Sequence, residues 1–163
     1  MTVTDKDGDS GTGSTTVTVE TALETLTRVN AELGALSGLS GNNQRAVDRA
    51  LRNLGRVLRA SQWESDTTQL TDRSGVRAMG YLCTAIRDLG RANANATITA
   101  QQDLLRAQAR GLAQRRLDTA TDDGGNAGRL LQSQAHLADG DAKTDSADAC
   151  EDYQDAWDDA ARA

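Results

Sequence analysis

From Thr21 onward the apolar residues fall at helical spacing. Ala22, Leu26, Val29, Leu33 and Leu36 recur at steps of four, three, four and three, which places them on one side of an α-helix. The stretch "SGLSGNN" ends that pattern, with Gly as the stop and Ser40 or Asn42 as the next cap. A second helix is predicted over about 43–60, with Val47, Ala50, Leu51, Leu54 and Leu58 inward. The polar connector "SQWESDTTQLTDRSG" follows, with Trp63 expected to fold back on the bundle. A third helix over about 73–92 buries Val76, Met79, Leu82, Cys83, Ile86 and Leu89. A fourth, over about 99–119, buries Leu104, Leu105, Leu112, Ala113 and Leu117. After the break "TDDGGN" a shorter fifth helix carries Leu130, Leu131 and Leu137. After "ADGDAKTDS" the last, over about 147–162, sets Ala147, Cys150, Tyr153, Trp157 and Ala160 on one face.

The first twenty residues, "MTVTDKDGDSGTGSTTVTVE", follow another period. Val3, Val17 and Val19 alternate with Thr2, Thr4, Thr16 and Thr18, the period-two signature of strands. The Asp- and Gly-rich stretch between them is turn chemistry. One hairpin alone is marginal in water. The expectation is a mainly α protein: a five- or six-helix bundle over 21–163, preceded by a short β-hairpin remnant over 1–20.

Composition fits helices. The apolar fraction is 37%, and 26 Ala and 18 Leu supply most of it, with two Ile, two Trp, two Tyr, two Met and no Phe. Alanine lets helices approach closely and loses no side-chain entropy, whereas sheet cores favour β-branched and aromatic residues. Proline is absent, so no helix is forced to break. No run of about 18 apolar residues occurs, so no membrane span is predicted.

"VTVTDKDGDSGTGSTTVTV" resembles the last two strands of a polycystic-kidney-disease (PKD) repeat, an immunoglobulin-like sandwich of extracellular proteins. The likeness covers Thr2 to Val19 and implies that the hairpin is the tail of a sandwich lying upstream. The stretch from Arg45 to Leu112 also resembles the helical FIMAH domains that end some secreted bacterial hydrolases, through Cys83 and "TITAQQDLLRAQA". The Leu-Pro-Gly turn of those domains is missing, and no binding residue carries over. Both resemblances imply a secreted or cell-surface protein. No signal peptide opens the chain, so secretion would make this a fragment or misplace its start.

Charge is the strongest pattern. Arg45, Arg49, Arg52, Arg56 and Arg59 recur at steps of four, three, four and three. At about 100° per residue they share one helix face, opposite Val47, Leu51 and Leu54. Residues 43–117 hold 13 Arg and 6 acids, and residues 118–163 hold 3 bases and 12 acids, within a net charge of −6. Like charges at i,i+4 repel mildly, so the stripe wants counter-ions. It reads either as an anion-binding face or as a solvated face partly neutralised by the acidic end of the chain. Overall acidity, and arginines without interleaved aromatics, favour the solvated face; as a binding face it would take a protein or glycan partner, not nucleic acid. The last helix is expected to dock on the Arg-rich bundle through Cys150, Tyr153, Trp157 and Ala160; if that docking masks the arginines, the whole chain should bind anions poorly.

Other candidates carry less. Asp5, Asp7 and Asp9 alternate like the start of a calcium loop, but Ser10 stands where Gly is required and Thr16 where Glu is. Calcium is the one cofactor considered, against a plain solvated turn. His136 is the single histidine and reads as a surface or partly buried residue, not a ligand. Cys83 and Cys150 are 67 residues apart, outside zinc and redox spacing. They read as two buried thiols, or as a disulfide in an oxidising compartment. No nucleophile–base pair, carboxylate dyad or metal cluster is legible, so the expectation is not an enzyme. It is a non-catalytic accessory or adhesion-type module of a secreted or cell-surface multidomain protein. The alternative is a cytoplasmic regulator whose Arg-rich face binds an acidic partner.

Overall fold

The computed structural model describes residues 20–163 apart from 66, 93 and 94, together with the backbone of 3–4 and 10–11. Six helices follow in order: α1 (Ala22–Gly34), α2 (Gly41–Val57), α3 (Gly75–Gly90), α4 (Ala96–Asp122), α5 (Ala127–Ala142) and α6 (Ser146–Ala161). A 3₁₀ turn, Ala60–Gln62, lies between α2 and α3. β1 (Val3–Thr4) pairs antiparallel with β2 (Ser10–Gly11), Val3 opposite Gly11. The second Thr/Val run of the expected hairpin, and Asp5, Asp7 and Asp9, lie outside the described residues.

Local chemistry sets the helix starts. Thr21 and Glu24 form a reciprocal capping box at α1, which satisfies two backbone N–H groups that the first turn leaves without partners. The Asn95 and Asn126 side chains cap α4 and α5, and the Asp145 carboxylate accepts from two N–H groups at α6. The connector after α2 is pinned by Trp63, which is buried and donates from Nε1 to the Val57 carbonyl at 2.8 Å. A single antiparallel bridge joins Trp63 to Leu70.

α6 is the central element, packed against α3, α4 and α5, while α2 packs on α3 and α1. Tyr153 and Trp157 are each 1% exposed and are the two largest fully buried side chains. Full burial of a large apolar side chain contributes about 1.5–3 kcal/mol, so this face holds the last helix in place. Close approach depends on Gly75, where a Cβ would collide with the Trp157 indole.

Cys83 on α3 and Cys150 on α6 are joined, with Sγ–Sγ 2.12 Å and Cα–Cα 5.3 Å. Both are buried. The link ties the third helix to the last.

α5 buries one of its three leucines, Leu137; Leu131 is 67% exposed and Leu130 is half-buried. Ser133, Leu137 and Gly140 make the buried face instead. Small residues at 133 and 140 let α5 lie close to α6, where the Ser133 hydroxyl donates to the Ala156 carbonyl at 2.7 Å. Shape complementarity outweighs the area that the two leucines would have buried.

Candidate anion-binding face

The arginine stripe is built by α2. Ser40 caps that helix, its hydroxyl accepting from the Asn43 amide at 3.4 Å. Ala46, Val47, Ala50, Leu54 and Val57 are buried, which leaves the opposite side to the arginines. Arg45, Arg49, Arg52 and Arg56 share that side within the helix, over about 17 Å at 1.5 Å rise per residue. Arg59 does not belong to it. α2 ends at Val57, and Arg59 has extended backbone (φ −66°, ψ 133°) at the cap of the 3₁₀ turn.

The arginines have different surroundings. Arg49 is half-buried, and its Nε lies 3.1 Å from Oδ1 of Asp88, whose side chain is 6% exposed. Asp88 also takes Arg91 at 3.2 Å and the Asn53 amide at 3.3 Å. A buried carboxylate needs such partners, so Arg49 is committed to holding α2 on α3. Arg56 lies over the Tyr81 ring, 5.1 Å from its centroid, a cation–π contact. Arg45, Arg52 and Arg59 are exposed and make no ion pair among the described residues.

The acids of α6 do not cover this face. Glu151 pairs with Arg87 of α3, Asp152 with Lys143 at 2.7 Å, and Asp159 with Arg129 at 2.9 Å. Asp158 pairs with Arg162 in its own helix at 2.7 Å. The expected docking face of α6 is correct in its residues, and its ion pairs among the described residues leave Arg45, Arg52 and Arg59 uncovered. α6 packs on α3, α4 and α5, and its paired carboxylates meet bases of α3, α5 and the segments flanking α6.

Elsewhere, ionisable groups are consumed internally. Arg110 grips both oxygens of Asp141 at 2.7 Å, and Tyr153 donates to the same carboxylate at 2.9 Å. Arg110, followed by Tyr153, holds the Asp141 carboxyl below the usual carboxylate range, and burial pushes the Tyr153 phenol up. Arg106 donates to the carbonyls of Gly140, Lys143 and Thr144, which caps the C-terminal end of α5. Sequence reading missed both networks, because each depends on which turn of α4 meets the α5–α6 corner. His136 is half-buried, its Nε2 3.6 Å from Asp159. Among the described residues no three His, Cys, Asp or Glu side chains form a metal-binding group, and no helix is long and apolar enough to cross a membrane.

In comparisons with known proteins the chain matches no family model, no curated protein and no solved structure.

Proposed function

We propose that this domain is a non-catalytic accessory or adhesion-type module of a secreted or cell-surface multidomain protein. The arginine face of α2 would be its contact surface for an acidic partner. One observation carries the reading: Arg45 and Arg52 of α2, and Arg59 just past its end, are exposed and have no carboxylate partner among the described residues, in a protein of net charge −6. An acidic protein has carboxylates to spare for neutralising surface arginines. Here Glu151, Asp152, Asp158 and Asp159 of α6 pair with other bases, and none of the ion pairs among the described residues reaches Arg45, Arg52 or Arg59. Exposed, weakly hydrated guanidinium groups suit carboxylates, sulfates and phosphates. The buried Cys83–Cys150 link supports an oxidising compartment, as does the likeness of residues 2–19 to a PKD tail.

The test is retention of the intact oxidised chain on immobilised heparin at low salt. Retention that falls as salt rises, and is lost in R45Q/R52Q/R59Q, supports the reading. Passage of the intact chain through the column at low salt, or equal retention of the triple variant, refutes it.

A further inference from the structure

A second cationic feature lies beside the stripe. A groove of about 470 Å³ is lined by Arg73, Val76, Arg77, Gly80, Tyr81, Thr84 and Gln154. All but Gln154, which comes from α6, lie on α3 or just before it. Arg73 and Arg77 are exposed and make no ion pair among the described residues. Arg56 of α2 lies over Tyr81, one of the groove's lining residues. One turn further along both helices the same α3–α6 seam is neutralised, where Arg87 meets Glu151. At the groove the matching α6 position holds the neutral amide of Gln154 instead. The floor is open because residue 80 is glycine: a Cβ there would reach only ordinary contact with the Gln154 amide, at 3.5 Å. The groove's volume falls in the range of small-molecule sites.

We infer that this groove is a binding site for one anionic sugar unit of an acidic polysaccharide. The guanidinium groups of Arg73 and Arg77 would take the carboxylate or sulfate, since such forks match planar oxyanions. The Gln154 amide offers a donor and an acceptor suited to sugar hydroxyls, and the Thr84 hydroxyl, which donates to the Gly80 carbonyl at 2.8 Å, offers an acceptor. The Tyr81 ring offers an apolar edge. A nucleic acid fits less well. Single strands are held by runs of aromatic platforms, and this groove has one ring, already engaged by Arg56. The inference rests on the acidic-partner reading above and adds a site and a ligand class to it.

The experiment is calorimetric titration of the intact oxidised chain with a galacturonate hexamer and a heparin hexasaccharide. The methyl-esterified galacturonate hexamer serves as neutral control, and a single-stranded DNA dodecamer as the rival polyanion. The expected result is binding of at least one acidic sugar, no binding of the ester, and weaker binding of DNA. R73Q/R77Q should lower affinity about tenfold, taking each exposed ion pair near the top of its usual range. Gly80→Leu keeps every charge and fills the groove, so it should weaken binding by a similar factor. Helicity and melting temperature of each variant establish that it is folded; R73Q/R77Q, a surface change, carries the test if Gly80→Leu is not. Unchanged affinity in the folded groove variants overturns the inference. If R45Q/R52Q/R59Q alone abolishes binding, the stripe reading stands and the groove assignment fails. Absence of binding by both sugars, or tighter binding of DNA, also overturns it.

Discussion

Gly140 of α5 lies against the ring of Tyr153 of α6 so closely that a Cβ at residue 140 would stand 2.5 Å from Cε1. That contact sets how near α5 comes to α6, and the Tyr153 hydroxyl lies 2.9 Å from Asp141, the next residue of α5. Gly140→Ala should therefore overpack the seam and cost about 1–3 kcal/mol. Gly55 offers the matched control, a helical glycine with nothing within 4 Å of its Cβ position. Gly55→Ala should stabilise by about 0.5–1 kcal/mol through helix propensity alone. Urea unfolding of both variants checks the pair; equal effects of one sign would contradict the packing described.

The last helix is held by apolar burial more than by charge. Trp157 is 1% exposed, whereas Asp155 is exposed and makes no ion pair among the described residues. Trp157→Ala should cost about 3–5 kcal/mol. Asp155→Asn should stay within about 0.5 kcal/mol of the parent. Chemical denaturation decides between them, and a small Trp157→Ala effect would remove α6 from the core.

The Cys83–Cys150 bond spans 67 residues of chain. In the chain-entropy model such a loop contributes on the order of 4 kcal/mol, and less in practice. C83A/C150A should lose much of that stability yet keep the helical spectrum. Protein purified from its native compartment and denatured without reductant should show no free thiol. Two titratable thiols would place the protein in a reducing compartment.

Acid should loosen the α4–α5–α6 corner. Asp141 has its carboxyl held below its ordinary value of 3.8, first by Arg110. A carboxylate depressed on folding contributes stability that is fully present above its unfolded value and is lost as pH falls through the folded one. The contribution therefore persists from neutral pH to about pH 4 and fades below it. Asp141→Asn should lower the melting temperature at neutral pH and flatten the acid limb of its pH profile. A parallel displacement of the whole profile would show that Asp141 does not titrate in this way. The side chain is 40% exposed, so solvent moderates the effect.

Much of this architecture was legible in the sequence. The 3.6-residue period located all six helices, because each buries one continuous stripe and no proline interrupts it. The apolar face of α6 was legible for the same reason. Boundaries moved where local capping overrode the stripe: α4 begins at Ala96 because Asn95 caps it, three residues before its expected start. The α5 packing was not legible, since period alone ranks Leu131 above Ser133 and Gly140. The fate of the arginines was legible in part. Spacing put Arg45, Arg49, Arg52 and Arg56 on one face. It could not show that Arg49 is spent on buried Asp88, that Arg59 falls beyond the helix end, or that α6 lies away from α2.

On the proposed reading an acidic partner meets the α2–α3 surface. Amide chemical-shift mapping of the intact oxidised chain with a heparin hexasaccharide locates the contact. Shifts should concentrate in Arg45–Arg59 and Arg73–Thr84, with α5 and the acidic turns of α6 unchanged. Shifts centred on α5 or on Asp148–Asp159, or none at saturating sugar, would contradict it.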